Sequence, residues 1–264
     1  LVQRYRAVLP FTLTDAQERA LAEIDRDLER RTPMQRLLQG DVGSGKTVVA
    51  LATLLRAVEA GRQGALMAPT EVLAEQHFLT IEELCAPLDV RVSLLTSSLR
   101  GKEHALVRQL VATGDAQIVV GTHALIEKEV DFADLAVAVV DEQHRFGVQQ
   151  RLALGAKGEA VDVLVMTATP IPRTLALTVY GDLDVSVLDE LPPGRTPIVT
   201  KVFADTRRDD VIERIRDEVV RGRQVYWVCP LIDEAEDADE AANLSASGDA
   251  ADAAKKPDRK STRL

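Results

Sequence analysis

The stretch "RLLQGDVGSGKTVVALATLLRA", residues 36–57, joins a short apolar run to a longer amphipathic one through a glycine-rich turn. The apolar run predicts a strand over residues 36–39, and the amphipathic spacing predicts a helix over residues 46–60. A strand that passes through a glycine-rich turn directly into a helix is typical of α/β domains.

The pattern of this stretch repeats along the chain. Further strands are predicted at residues 64–68, 90–95, 117–120, 135–140 and 161–166, and further helices at 71–86 and 102–113. These strands are apolar at nearly every position, which is typical of a parallel sheet covered on both faces. The sequence therefore predicts an α/β fold with a doubly wound parallel sheet.

A turn-rich segment, "LPPGRTP" at residues 191–197, predicts a domain boundary. The first domain is expected to cover residues 1–192. Residues 193–232 contain "IVTKVF", a predicted helix at 207–221 and "QVYWVCPLI", which predict one strand-helix-strand unit that begins a second domain. Residues 233–260 are rich in Ala, Asp, Glu and Ser with a single leucine, and residues 233–264 predict a disordered segment.

Composition narrows the class of protein. The chain has 264 residues, of which 46% are hydrophobic, so it can bury a large core. It contains no apolar run of about 20 residues, and its N-terminal residues lack the features of a signal peptide, so a cytoplasmic protein without a membrane partner is expected. Cys85 and Cys229 lie far apart in apolar surroundings and are expected to be reduced core residues.

The net charge of −10 argues against a nucleic-acid partner without excluding one. Residues 233–264 contribute nine acids and five bases, so the preceding residues carry −6. A protein that binds a nucleic-acid strand through backbone amides and hydroxyls needs no strongly basic surface.

The turn "GDVGSGKT", residues 40–47, matches the pattern G-x-x-x-x-G-K-[ST] at every fixed position. Its glycines let backbone N–H groups converge on phosphate oxygens at the N-terminus of a helix. The phosphate-binding residues are therefore Gly40, Gly43, Ser44, Gly45, Lys46 and Thr47. Lys46 would reach the β and γ phosphates of ATP, and the Thr47 hydroxyl would bind Mg²⁺. The alternative is a glycine-rich turn with a solvated lysine.

Two neighbouring acids follow the predicted strand "LAVAVV", residues 135–140. The carboxyl ends of parallel strands are where ligands of open α/β sheets bind. Asp141 is therefore predicted as a second Mg²⁺ ligand and Glu142 as the general base that polarises water. Taken alone, two acids after a strand are also typical of a helix N-cap or a solvated turn.

Five motifs together resemble the superfamily 2 helicases. They are "GDVGSGKT", "APTEVLAEQH" (68–77), "GTHALI" (121–126), "DEQHRFGVQQR" (141–151) and "TATPIPRT" (167–174), in the order and spacing of those motors. The resemblance implies RecA-like domains. It also implies that Gln17 in "LPFTLTDAQ" hydrogen-bonds the adenine of ATP with both its amide groups, with Phe11 nearby, although Thr14 or Asp15 also fits a plain helix N-cap.

The same resemblance assigns further roles. Thr70, Gly121 and Thr122 would contact the DNA backbone, and Thr167 and Thr169 would couple the nucleotide to movement on DNA. The residues of the last two motifs most resemble those of bacterial DNA helicases that remodel stalled forks and Holliday junctions in recombination and repair. A transcription-repair coupling translocase shares "HRFGV" and "TATPIPRT" but typically has D-E-E-H at 141–144.

The resemblance further implies a monomeric motor of which this chain is a fragment. A wedge domain and an arginine-bearing motif of the second motor domain are expected outside it, so the fragment is expected to hydrolyse ATP poorly. Another alternative is a nucleotide-gated DNA-binding module without turnover. A P-loop metabolic kinase would need an acceptor pocket and a lid, which no segment supplies.

Overall fold

A computed structural model of the chain describes residues 1–141, 153–169, 183–190 and 198–228. The chain divides into two compact units, Leu1–Pro197 and Ile198–Leu264. The predicted division after residue 192 stays a prediction, and the predicted disordered segment 233–264 lies outside the described residues.

The first unit is built on a sheet of seven parallel strands. The strands are β1 (Gln35–Gly40), β2 (Gln63–Met67), β3 (Val92–Leu95), β4 (Ile118–Gly121), β5 (Leu135–Asp141), β6 (Asp162–Thr167) and β7 (Asp184–Leu188). They lie side by side in the order β3-β4-β2-β5-β6-β1-β7. Every residue of β2, β4 and β5 is buried, as their continuous apolar runs predict.

Helices cover both faces of this sheet. They are α1 (Val2–Val8), α2 (Asp15–Leu28), α3 (Lys46–Glu59), α4 (Glu71–Cys85) and α5 (Gly101–Thr113). One core packs α1 to α4 against one face, and the other face packs against α5 and the short turn at His123–Ile126. The prediction of a doubly wound α/β sheet is confirmed, with the glycine-rich loop between β1 and α3.

Two elements were not expected from the sequence. Helix α1 has only seven residues and no side-chain cap, although Tyr5 within it is fully buried and donates its hydroxyl to the Val48 carbonyl at 3.2 Å. Strand β7, "DVSVL", lies at the edge of the sheet. It mixes exposed and buried positions, and its sequence is not a continuous apolar run. Both gain their order from tertiary packing, which a local pattern does not reveal.

A buried arginine near the start of β1 ties the sheet to α2. The Arg36 guanidinium lies 2.6 Å from an oxygen of Asp27 and 3.2 Å from Glu23, and it donates to the Ser186 hydroxyl at 2.8 Å. The side chains of Arg36 and Asp27 are only 8% and 3% exposed. Two opposite charges are buried together here, and the exposed Arg30 lies 2.9 Å from the other oxygen of Asp27.

The second unit differs from its prediction. Its described residues contain a 3₁₀ turn, Asp205–Arg207, and a helix, α6 (Arg208–Val220), inside the predicted 207–221. The strands predicted from "IVTKVF" and "QVYWVCPLI" are wrong over residues 198–203 and 224–228, which form none. A strand is stabilised by hydrogen bonds to a neighbour, and these two stretches do not pair with each other.

None of the helices in the described residues combines the length and the apolar character that crossing a membrane requires.

Candidate nucleotide-binding site

The loop between β1 and α3 has a backbone that depends on its glycines. Gly43 and Gly45 have φ angles of 76° and 85°, in the left-handed region that disfavours other residues. At Gly40, a Cβ atom would lie 2.5 Å from the Ser44 hydroxyl oxygen. The Ser44 hydroxyl is itself buried without a hydrogen-bond partner. The loop is thus a tight cradle of backbone groups, which fits the oxygens of a phosphate chain.

Helix α3 begins at Lys46 with Gly45 as its N-cap, and no side chain caps it. Lys46 extends its ammonium group across the loop and donates to the Gly40 carbonyl at 2.8 Å and the Asp41 carbonyl at 3.0 Å. Thr47 follows in the first turn of the helix. The positive end of a helix dipole and an ammonium group therefore converge on one point.

Gln17 joins α2 to the phosphate loop. Thr14 is the N-cap of α2, and it forms a reciprocal capping box in which Thr14 N–H donates to Oε1 of Gln17 at 2.9 Å. The other end of the same side chain donates from Nε2 to the Ser44 carbonyl at 2.9 Å. Gln17 is only 2% exposed. Each end of the Gln17 amide thus has one partner within the chain and keeps one further hydrogen-bonding position, so its contact with a base stays a prediction.

Asp141 is the last residue of β5, and its carboxylate lies at the carboxyl end of the sheet. It is 8% exposed, and its Oδ2 lies 2.7 Å from Nε2 of His77 on α4. Glu142, the predicted general base, lies outside the described residues.

One cavity connects these elements. It has a volume of about 750 Å³ and is lined by Phe11, Thr12, Thr14, Gln17, Val42, Gly43, Gly45, Lys46, Thr47, Val48, Asp141 and Ala168. That volume lies within the range of small-molecule sites. An apolar end at Phe11, the phosphate loop and a carboxylate thus share one space, which matches the base, phosphates and metal of a nucleotide complex.

The described residues contain no cluster of three or more His, Cys, Asp or Glu that could hold a metal by itself. Mg²⁺ in nucleotide sites is usually held by one or two protein oxygens together with phosphates and water. A single hydroxyl from Thr47 and a single carboxylate from Asp141, facing one cavity, fit that donor set.

The predicted coupling residues lie at the end of β6, the strand next to β5: Thr167 is its last residue, and Thr169 follows it. Thr167 is 2% exposed, and its hydroxyl accepts a hydrogen bond from Thr169 N–H at 3.1 Å. This bond closes the turn that leaves the sheet beside Asp141, since Met166 pairs with Asp141 in the register of β5 and β6.

The residues predicted to touch DNA have different exposures. Thr70 is exposed and caps α4 by accepting from Leu73 N–H at 3.3 Å. Gly121 and Thr122 are buried, and their contact with DNA stays a prediction. At Gly121 a Cβ atom would lie 2.2 Å from the Leu95 carbonyl, so glycine is required there by the close approach of β3 and β4.

The sequence reasoning missed His77, which it quoted inside a motif without assigning a role. Its partner Asp141 is 64 positions away, so no local spacing reveals the contact. The available signal was the position of His77 on α4, three residues after Ala74 and four before Ile81, both fully buried. A polar residue on an otherwise apolar helix face requires a partner.

The profile of the DEAD/DEAH box helicase family matches residues 14–178. These residues include the phosphate loop and Asp141. The chain belongs to this family.

Individual relatives of this helicase chain agree with the family match. It is 54% identical over 241 residues to the ATP-dependent DNA helicase RecG of Escherichia coli O127:H6, covering 89% of the chain and 35% of that protein. It is 49% identical over 256 residues to RecG of Aquifex aeolicus, covering 96% and 32%. The chain spans about a third of the length of these relatives, and the predicted resemblance to branch-remodelling helicases is confirmed as a resemblance to RecG.

Solved helicase structures give the same result. A structure of RecG bound to a three-way DNA junction matches with a TM-score of 0.78 and 44% identity, over 92% of this chain and 33% of the other. The helicase MrfA bound to DNA matches with a TM-score of 0.60 at 16% identity, over 83% of this chain and 34% of the other. The first supports a close relationship, and the second shows the RecA-like fold alone.

Proposed function

We propose that this chain is the nucleotide-binding part of an ATP-dependent DNA helicase that remodels branched DNA in recombination and repair. The observation that carries the proposal is the single cavity shared by the phosphate loop, Gln17 and Asp141. The similarity to RecG supports branched DNA as the substrate, in preference to the transcription-repair coupling alternative.

Each side of the cavity has its own task in this proposal. The amides of the phosphate loop and the Lys46 ammonium bind the phosphates of ATP. Thr47 and Asp141 hold Mg²⁺, which neutralises charge on the phosphates when it is bound. Glu142, next to Asp141 in sequence, orients the attacking water as general base.

The proposed link to DNA runs along the carboxyl edge of the sheet. Thr70 is exposed at the start of α4 and suits a contact with a DNA phosphate through its hydroxyl. Gly121 ends strand β4 and Thr122 follows it, so both would shape that edge. The turn from Thr167 to Thr169 begins at the end of the sheet beside Asp141, where its conformation can depend on both ATP and DNA. We also propose a monomer in the cytoplasm, where a bacterial motor meets ATP and chromosomal DNA.

Replacement of Lys46 tests the nucleotide site. Lys46→Ala is expected to abolish tight binding of a fluorescent ATP analogue, because the loop loses its positive charge. Lys102→Ala, an exposed lysine on α5, is the matched control and should bind like the parent. Equal affinity of Lys46→Ala and the parent would contradict the site.

Phosphate release with and without forked DNA tests the motor. Turnover that rises with forked DNA more than with linear duplex, and that disappears in Lys46→Ala, supports a helicase. Because the 264-residue chain is expected to be a fragment that hydrolyses ATP poorly, this assay uses the longer protein with both motor domains, and ATP binding by that protein without turnover under any DNA condition supports the alternative of a nucleotide-gated binding module.

A further inference from the structure

A hydrogen bond connects the proposed metal carboxylate to a helix that has no other contact with the nucleotide cavity. Nε2 of His77 lies 2.7 Å from Oδ2 of Asp141, and the two side chains are 14% and 11% exposed. The pair is therefore largely shielded from water, where a hydrogen bond to a carboxylate is strong and its geometry is well defined.

The direction of this bond follows from the chemistry of its partners. An ionised carboxylate can only accept, so Nε2 of His77 carries the hydrogen and donates it to Oδ2. The second oxygen, Oδ1, is then left for a metal ion. Ligand carboxylates in metal sites are commonly oriented in this way by a hydrogen bond to one of their oxygens.

Packing holds the imidazole in place. His77 lies between Ala74 and Ile81 on the buried face of α4, and both of these residues are fully buried. A rotation of the ring away from Asp141 would leave a buried carboxylate without its partner, which is costly.

The same helix begins at the proposed DNA-facing edge. Thr70 caps α4, and Glu71 in its first turn accepts from Ser98 N–H at 2.9 Å, which ties the helix to the segment after β3. His77 lies six residues further along, about 9 Å along the helix axis. A shift of α4 at its DNA-facing end therefore reaches the Asp141 carboxylate through one rigid element.

We propose that His77 is a positioning residue that orients Asp141 for Mg²⁺ and so links α4 to the metal side of the ATP site. This inference rests on the proposed function. His77 itself touches neither phosphate nor metal and acts through Asp141.

The test compares variants of His77 in the 264-residue chain. His77→Leu keeps a similar volume without a donor, whereas His77→Gln carries an amide N–H at nearly the position of Nε2. His104→Ala, on α5, is the matched control. Mn²⁺ replaces Mg²⁺ as the probe, and its binding in the presence of a non-hydrolysable ATP analogue is followed by electron paramagnetic resonance.

We expect His77→Leu to weaken Mn²⁺ binding about tenfold or more, the range seen when groups that orient metal ligands are lost. Its affinity for the analogue in EDTA should stay within about twofold of the parent, since the phosphate loop is unchanged. His77→Gln should restore most of the Mn²⁺ affinity, and His104→Ala should match the parent. In an Asp141→Asn background, His77→Leu should have no further effect.

Two results would overturn the inference: Mn²⁺ affinity of His77→Leu equal to that of the parent, or His77→Gln as weak as His77→Leu. If His77→Leu does not fold, as judged by its thermal melt, His77→Ala takes its place in the same comparison. A failure of the proposed function would give a different result from a failure of this inference. In that case the parent chain itself would bind the ATP analogue no better than Lys46→Ala does.

Discussion

A Cβ atom on Gly45 would lie 2.2 Å from Nε2 of Gln17, so a side chain there would displace the buried Gln17 amide that joins α2 to the phosphate loop. The same glycine has a φ angle of 85°, which a side chain disfavours independently of any contact. Position 45 is therefore constrained both by its own backbone and by its neighbour.

The first prediction separates these two constraints. Gly61 also has a positive φ, 75°, but a Cβ there would meet nothing within 4 Å. Gly61→Ala should cost about 1 kcal/mol of unfolding free energy through the backbone alone. Gly45→Ala should cost more and should also weaken binding of a fluorescent ATP analogue, because Gln17 and the loop must move apart. Urea unfolding and an equilibrium titration measure the two effects, and equal losses in both variants would contradict the contact.

The second prediction concerns the bond between Gln17 and the Ser44 carbonyl. Gln17→Ala removes this bond and half of the capping box, whereas Thr14→Ala disrupts the capping box and leaves the Gln17 amide in place. Each should lower stability by about 1 kcal/mol. Gln17→Ala alone should weaken ATP binding, because the phosphate loop loses the hydrogen bond that holds its Ser44 carbonyl in place. If Thr14→Ala weakens binding as much, the loop contact has no special role.

The third prediction concerns the buried ion pair of Arg36 and Asp27. Arg36→Met leaves the buried Asp27 carboxylate with the exposed Arg30, 2.9 Å away, as its remaining cationic partner, and should cost up to about 3–5 kcal/mol of unfolding free energy. The double variant Arg36→Met with Asp27→Leu removes both charges and should recover most of that loss. Both are measured by urea unfolding. A double variant less stable than Arg36→Met would show that the charge on Asp27 is not the cause.

The fourth prediction concerns Cys85, which is buried at the end of α4. Burial raises the pKa of its thiol to about 12. Because the thiolate is the reactive form, almost none is present at pH 8, and iodoacetamide should not modify Cys85 in the folded chain. Mass spectrometry of the Cys85 peptide should show rapid modification only after urea is added. Equal labelling rates with and without urea would contradict the burial.

The continuous apolar strands were the part of the fold that sequence predicted well. Strands such as β5, "LAVAVVD", are buried at every position. Their apolar residues do not alternate with polar ones, which reflects a sheet covered on both faces. The ends of α3 and α4 fall within one residue of the predicted ends, since the loop glycines and the Thr70 cap define their starts.

Side-chain partners were the part that local sequence could not supply. Gln17 was expected to face a base, and the bonds of its amide to Thr14 and Ser44, the latter 27 positions away, were not predicted. His77 had no assigned role because its partner lies on another element of the sheet. The strands predicted around α6 failed for a related reason, since apolar residues favour a strand only where a neighbouring strand pairs with them.

The strand order has a consequence for how the site is completed. Strand β6 lies between β1, which leads to the phosphate loop, and β5, which ends at Asp141. At about 4.8 Å between strands, the backbones at the ends of β1 and β5 are held about 10 Å apart by the sheet itself, and the side chains of Thr47 and Asp141 face one cavity from the two sides. A phosphate chain with its cation is a ligand that can engage both sides. ATP and its cation should therefore each raise the affinity for the other by the same factor, as thermodynamic reciprocity requires. The site is therefore expected to bind ATP and its cation together far more tightly than it binds either one alone.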